Sequence, residues 1–589
     1  MKRNVFVAII ALITVVGLCL SCPVAVTHAD GDVLPSGVAD ADVGAAIDAY
    51  LAERSANHAA VATAVFRGDV DVYTRYFGYL DAAGTVPLQA DSVLEWGSTT
   101  KLLVWVSVMQ LSEAGRIDLD ADIATYLPDG FLRNISHDLF PVNMLPDDVL
   151  PMLHVGDCSV TMRNLMNHNA GFEDYVGEME TTDEDVMSLG DFLAKYQPHQ
   201  VNKPGDVVAY SNWGAALAGY VVECISGVPF WQYVHTHIFE PLGMAHSALN
   251  ANLSDNEWVR ARWTDYVSYT PTGELFTDNK YNIIPYPAGR CTSTLEDMVR
   301  FAKALLTRDA RLMAADTFDT MYSGSLYYTG TDRARIAHGL LVDYEFAAPI
   351  YGHDGNTMGG SSRILLDLQN GVGMVVLTNQ LGGSMYRTGM AEVVFGTTEW
   401  HVAVDGHYVP MRTAMVGLDG FYSLFLAYGH LHITSELADG MYINVLPDRL
   451  EISATDYKAW PSLIFYDVVS IAWMVCMAYA LLTFLVRIGI LVADVVKHRP
   501  ILPNLLVACL SLVVVLPMLM LAGVGPIGSI VLFVLQWVSG VALIVLSTMR
   551  EHENLRDLSA RWRFGQSISM AVPMILTLMF ALVWGFFVL

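Results

Sequence analysis

Basic residues are scarce in this sequence, with 33 Lys and Arg set against 60 Asp and Glu. The imbalance is uneven along the chain. Residues 1–29 hold two basic residues and no acid, and the stretch from Ile464 onward holds seven basic and five acidic. The part between carries 24 basic and 55 acidic residues, a net of −31. A domain that acidic repels phosphate backbones, which argues against nucleic acid as a partner. Charge of either sign is also sparse, at 16% against 53% hydrophobic residues, so membrane segments are expected. Cysteines number seven, and Cys19, Cys22, Cys476 and Cys509 fall in apolar terminal segments. Cys158, Cys224 and Cys291 remain for the large domain. Their spacing fits no metal motif, so they read as buried, inert thiols, with one disulfide left open. Repeats and low-complexity tracts are lacking, which excludes a solenoid. At 589 residues the chain is too long for one ordinary domain.

Both ends are apolar. Met1-Lys2-Arg3-Asn4 precedes an apolar run from Val5 to Leu20, and Thr27-His28-Ala29 follows. Those are the parts of a secretory signal over residues 1–29, an uncleaved anchor being the alternative. Four stretches near Ile464–Val486, Leu502–Val524, Ile527–Ser547 and Ile568–Leu589 each approach the ~20 residues that span a hydrocarbon core. Lys497 and Arg499 lie in the first connection, and Arg550, Arg556, Arg561 and Arg563 in the third. Basic loops favour the cytoplasm, so the domain before Ile464 faces outward. The expectation is a multi-pass protein of a bacterial-type plasma membrane.

The exported part is divided into a domain over 30–400 and a small β-rich connector over 401–463. Strands are expected at Ala60–Phe66, Val72–Tyr79, Arg363–Leu368 and Val372–Thr378, with Asn370-Gly371 as a hairpin signal. Leu102–Ala114 and Asn212–Ile225 read as helices closed by Gly115 and Gly227. Strands at both ends of a helical middle predict an α+β fold. Its antiparallel sheet is flanked by helices, with an all-α region inserted, and four transmembrane helices follow.

Three short motifs carry chemistry. The first is Ser98-Thr99-Thr100-Lys101, read as opening the first helix. Residues three apart share a helix face, so the Lys101 amine can reach the Ser98 hydroxyl. Burial beside Leu102, Leu103 and Trp105 favours the neutral amine, which can activate a serine nucleophile. The second is Tyr210-Ser211-Asn212, also at a helix start. Its phenol can exchange a proton, and the Asn212 amide can meet both Lys101 and a substrate carbonyl. The third is His353-Asp354-Gly355, read as ending a strand Pro349–Gly352. Gly355 admits a substrate, and the backbone N–H of Asn356 offers an oxyanion donor beside that of Ser98.

With their flanks, these motifs resemble the serine β-lactamase and penicillin-recognising family. The likeness is to its class C-like branch of D,D-peptidases, D-aminopeptidases and esterases. It runs from about Val61 to Asn379 and includes Leu111–Leu119, His168-Asn169-Ala170-Gly171, Pro241-Leu242-Gly243-Met244 and Ser293–Met298. The resemblance implies that Ser98 attacks a carbonyl, Lys101 accepts its proton, and Tyr210 protonates the leaving group. It implies no metal and no cofactor, and a small-molecule or peptide substrate, a cell-wall fragment among the candidates. The third motif departs from the pattern. β-Lactamases of this branch carry Lys-Thr-Gly there, whereas a partly charged His353 and a carboxylate-repelling Asp354 disfavour β-lactams. Two other readings stand beside the hydrolase. One is a catalytically weak binding or regulatory protein of the cell envelope. The other is a transporter, against which the scarcity of charge within the four apolar stretches argues.

Overall fold

The computed structural model describes residues 33–132, 159–398 and 442–459 apart from short breaks, together with parts of 406–433 and 481–498. The expected signal segment, Cys158 and nearly all of the four apolar stretches lie outside the described residues. Among the described residues no single helix is long and apolar enough to cross a membrane. Residues around Phe484–Ala493 are helical and continue past the expected end of the first stretch at Val486, exposing Leu482, Leu485 and Val492. Cys224 and Cys291 are free thiols, the first half-buried and the second buried.

An eight-stranded antiparallel sheet organises the domain. Its strands are β1 Val61–Arg67, β2 Val70–Phe77, β3 Leu326–Tyr327, β4 Ala334–Ala337, β5 Leu340–Asp343, β6 Ile350–Asn356, β7 Ser361–Asp367 and β8 Val372–Thr378. The spatial order is β3-β4-β5-β6-β7-β8-β1-β2. Strands from the two ends of the domain therefore meet, with Val61 opposite Thr378. The β7–β8 hairpin is held by the Asp367 carboxylate, which accepts from the backbone of Gln369 and Asn370. Gly371 takes a left-handed φ of 65° there, which its missing Cβ permits.

The period-two pattern of β1 explains why both faces are covered. Ala62, Ala64 and Phe66 enter one core, and Val61 and Val65 the other. The second core is closed by α1 Val43–Glu53 and the helix Gly389–Phe395. The first is closed by the helical region, including α2 Lys101–Glu113, α3 Asn212–Ser226 and α4 Leu295–Leu306. Every residue from Lys101 to Met109 is buried, as is all of Trp213–Gly219. Helices apolar all round belong at a centre, and these two pack against each other.

A buried ion pair ties the start of α2 to that region. Glu95 accepts from Arg290 at 3.1 Å and from the Trp263 indole at 2.6 Å, and both charged groups are at most 1% exposed. Tyr281 donates to the other Glu95 oxygen and accepts from the backbone of Met358, just beyond β6. Glu95→Ala strands the Arg290 charge and is expected to cost about 3–5 kcal/mol. Urea unfolding followed by tryptophan fluorescence checks this, and a loss below about 1 kcal/mol contradicts it.

Candidate active site

Ser98 does not lie in an α-helix. It sits in a 3-10 turn, Gly97–Thr100, with α2 beginning at Lys101. The tighter turn preserves the expected neighbourhood, because residues three apart eclipse in it. Lys101 Nζ lies 3.0 Å from Ser98 Oγ, 2.8 Å from Asn212 Oδ1 and 2.7 Å from the Ala288 carbonyl oxygen. Two of these three are carbonyl oxygens that can only accept. A neutral amine has two N–H groups and one lone pair, so both hydrogens go to the carbonyls and the lone pair faces the serine. Ser98 then becomes the donor, which is the arrangement a general base needs. Burial, the largest influence, and Arg412 lower the Lys101 pKa while Asp174 and Asp354 pull it up, which leaves it at about 7.

Asn212 is the first residue of α3, whose N-cap Ser211 accepts from Gly214 at 2.9 Å. Asp174 accepts from the Asn212 backbone at 2.8 Å, its Nδ2 at 3.0 Å, and the Trp213 backbone at 3.1 Å. One amide hydrogen is thereby committed, and Asn212 serves first to orient Lys101. Asp174 also takes Arg412 at 2.5 Å.

Tyr210 is half-buried over the same amine, with Lys101 Nζ 4.9 Å from its ring centroid. Burial raises its pKa above the ordinary value, with Ser98 and Arg412 acting against it, so the phenol keeps its proton. Two histidine rings flank it, His168 at 4.4 Å and His353 at 6.0 Å between centroids. Their tautomers follow from their partners. The Ser211 backbone N–H donates to His168 Nδ1, so the proton of His168 sits on Nε2. His353 Nδ1 lies 2.6 Å from the Asp354 carbonyl oxygen, so its proton is on Nδ1 and Nε2 is an acceptor. Both Nε2 atoms and the Tyr210 hydroxyl are buried without a standard hydrogen bond. Three such groups together mark a place for water or a substrate.

The third motif corrects the expectation in three ways. The strand does not end at Gly352; β6 runs through His353-Asp354-Gly355 to Asn356, paired with β7 by Asn356 opposite Ser361. His353 is not partly charged, because burial, helped by the Lys101 charge, lowers its pKa to about 4 against the pull of Asp354. Asp354 is not a free repulsive charge, since Arg387 pairs with it at 2.5 Å. Burial would raise the Asp354 pKa, but Arg387, His353 and Arg363 outweigh it and hold the carboxyl at about 2. Its side chain is still 44% exposed, and it borders a cavity of about 200 Å³ lined by Arg363, Glu345, Tyr344 and Tyr442.

Two glycines bring the oxyanion donors together. A Cβ on Gly97 would fall 2.6 Å from Asn356 N, and one on Gly355 would fall 1.9 Å from the Trp96 carbonyl oxygen and 2.9 Å from Ser98 N. Gly97 also has φ 56°. The strand can lie against the serine turn only because both side chains are missing. Ser362 Oγ donates to the Trp96 carbonyl at 2.5 Å, and Thr99 reaches the His353 carbonyl at 3.3 Å, stapling turn and strand. All eight residues singled out in the sequence thus line one region, with the Asp354 side chain turned toward Arg387. Asp174, His168, Arg412 and the Ala288 carbonyl join them. No local pattern pointed to Asp174 or Arg412, and His168 was legible only as part of a longer signature.

A family model described as beta-lactamase matches residues 45–398, more than half of the chain. The chain belongs to the beta-lactamase family. Penicillin-binding protein 4 of Amycolatopsis lactamdurans is 28% identical over 358 residues, covering 56% of this chain and 83% of that protein. Lovastatin esterase of Penicillium rubens is 23% identical over 348 residues, covering 51% and 83%. A solved D-amino acid amidase from Ochrobactrum anthropi SV3 aligns with a TM-score of 0.47 at 22% identity, covering 60% and 97%. This member of the beta-lactamase family is a serine hydrolase.

A base with a pKa of about 7 sets the pH dependence. Protonation removes the lone pair, so reaction of Ser98 with a fluorophosphonate should fall as pH drops through about 7. Lys101→Met should slow that labelling by about 10²–10⁴-fold at every pH. Labelling rates measured from pH 5 to 10 check both, and a flat profile contradicts the assignment of Lys101 as the base.

Proposed function

We propose that this protein is a membrane-anchored, outward-facing hydrolase that cleaves ester or amide bonds through an acyl group on Ser98. The observation that carries this reading is the Lys101 amine, buried and 3.0 Å from the Ser98 hydroxyl. Ser98 Oγ bonds to the carbonyl carbon and its proton passes to Lys101. The backbone N–H groups of Ser98 and Asn356 receive the oxyanion. Tyr210 gives its proton to the departing amine or alcohol and recovers one from Lys101. Water then attacks the acyl carbon, its proton returns by the same pair to Ser98, and the acid leaves.

Substrate choice is supported by the strand edge and its charges. β5 pairs with β6 only as far as Gly352, so among the described residues the edge from His353 to Asn356 has no strand partner on that side. An extended substrate can lie there and pair with the backbone. His353 is neutral where β-lactamases of the resembling branch place a cation, so a β-lactam carboxylate gains little attraction from it. Esters and D-amino-acid amides carry no such carboxylate and make no demand on that position. The names of the relatives, a penicillin-binding protein and an esterase, agree with that range. Anchoring rests on the four apolar stretches of the sequence, and the helical residues exposing Leu482, Leu485 and Val492 agree with it.

A panel of p-nitrophenyl esters, D-amino-acid amides and nitrocefin tests the reading. Turnover of an ester or amide faster than nitrocefin is expected, and Ser98→Ala should abolish it without changing thermal unfolding. Equal rates in wild type and Ser98→Ala would leave the binding or regulatory reading in possession.

A further inference from the structure

The stretch expected as a small β-rich connector, 401–463, does hold strands, and it is joined closely to the site. Strands Gly406–Pro410, Leu431–Ile433, Asn444–Val445, Leu450–Ile452 and Thr455–Ala459 form a sheet of their own. That sheet is fastened just before Tyr210. The Asp456 backbone donates to the Val208 carbonyl at 2.7 Å, and the Asp456 carboxylate accepts from Val208 N at 3.0 Å. The same carboxylate takes Arg335 in an ion pair in which both partners are 1% exposed. A second fastening pairs Ala414–Val416 in parallel with Asp174–Tyr175. Two residues before the second fastening, Arg412 reaches Asp174 at 2.5 Å and lies 5.0 Å from the Tyr210 ring centroid. The five strands, Ala414–Val416 and Arg412 lie beyond residue 398, where the family match ends.

We propose that Arg412, carried by this C-terminal β segment, is a positioning residue of the active site that lets Asp174 orient Asn212 without charging Lys101. The inference rests on the hydrolase reading above. Its physical basis is a conflict. Asp174 accepts from Asn212, Trp213 and Arg412 together. An unpaired carboxylate next to a buried amine would favour the ammonium form and remove the base. Arg412 cancels that charge at its source and places a cation 5.0 Å from the centre of the phenol ring. The directions agree: Asp174 pulls the Lys101 pKa up and Arg412 pushes it down. The other ionisable groups facing Lys101 are the neutral rings of His168 and His353, the protonated Tyr210, and Asp354, which Arg387 already pairs.

The test is the pH profile of fluorophosphonate labelling at Ser98 in the full-length chain, for wild type, Arg412→Gln, Arg412→Lys and Asp174→Asn. Arg412→Gln should label about tenfold more slowly at pH 7, with its acid limb moved to higher pH and the rate recovered in alkali. Arg412→Lys keeps the charge and should hold the limb near its wild-type place. Asp174→Asn should move the limb to lower pH, and an unmoved limb there overturns the proposal even if Arg412→Gln does not fold. An unmoved limb in the folded Arg412→Gln variant, or equal movement in Arg412→Lys, overturns the proposal whatever happens to the rate. Wild-type protein that labels no better than Ser98→Ala would instead overturn the hydrolase reading beneath it.

Discussion

One amine, withdrawn completely from water and held by two carbonyls, is the constraint around which the site is arranged. Lys101 would be charged at neutral pH on the surface. Burial removes most of that preference by bringing the pKa to about 7, and the two carbonyls use up the hydrogens the neutral form has left. The lone pair then has one direction to face, toward Ser98. Each neighbouring element maintains that state. α2 and α3 supply the apolar enclosure, Asn212 sets the angle, and the segment ending at Ala288 supplies the second acceptor.

Maintaining the state requires charge to be managed at a distance. The groups nearest the amine are kept neutral or paired: two buried histidines, a protonated tyrosine, Asp354 with Arg387, and Asp174 with Arg412. The Glu95–Arg290 pair belongs to the same scheme. It fixes the approach to Ser98 while its own charges cancel within 3.1 Å. An acidic domain can hold a base with a depressed pKa because its excess carboxylates are kept away from the centre or neutralised where they come close.

Much of the fold was legible because it rests on local periodicity. The hairpin strands β7 and β8 alternate toward two cores, and α2 and α3 announced themselves by apolar length and by glycines that end them. The boundaries slipped where tertiary pairing overrode the local signal. β6 looks finished at Gly352, since His353, Asp354 and Gly355 are poor strand formers, yet β7 supplies six paired positions and carries it on to Asn356. The 3-10 turn at Ser98 was likewise invisible, because Gly97-Ser98-Thr99-Thr100 has no period of its own.

The sequence by itself determined the reactive groups and their order. A serine three residues before a lysine, a tyrosine two before an asparagine, and a histidine two before a glycine, taken with their flanks, are enough to propose a nucleophile, a base and a proton donor. Protonation states were decided only by the tertiary structure. Whether Lys101 is neutral, His353 uncharged, and Asp354 silent depends on burial and on partners more than thirty residues away in the chain, Arg387 among them. So does the part played by Arg412, which lies 238 residues from the carboxylate it meets. Charge interactions act through space and desolvation acts through enclosure. Neither leaves a trace in the order of neighbouring residues.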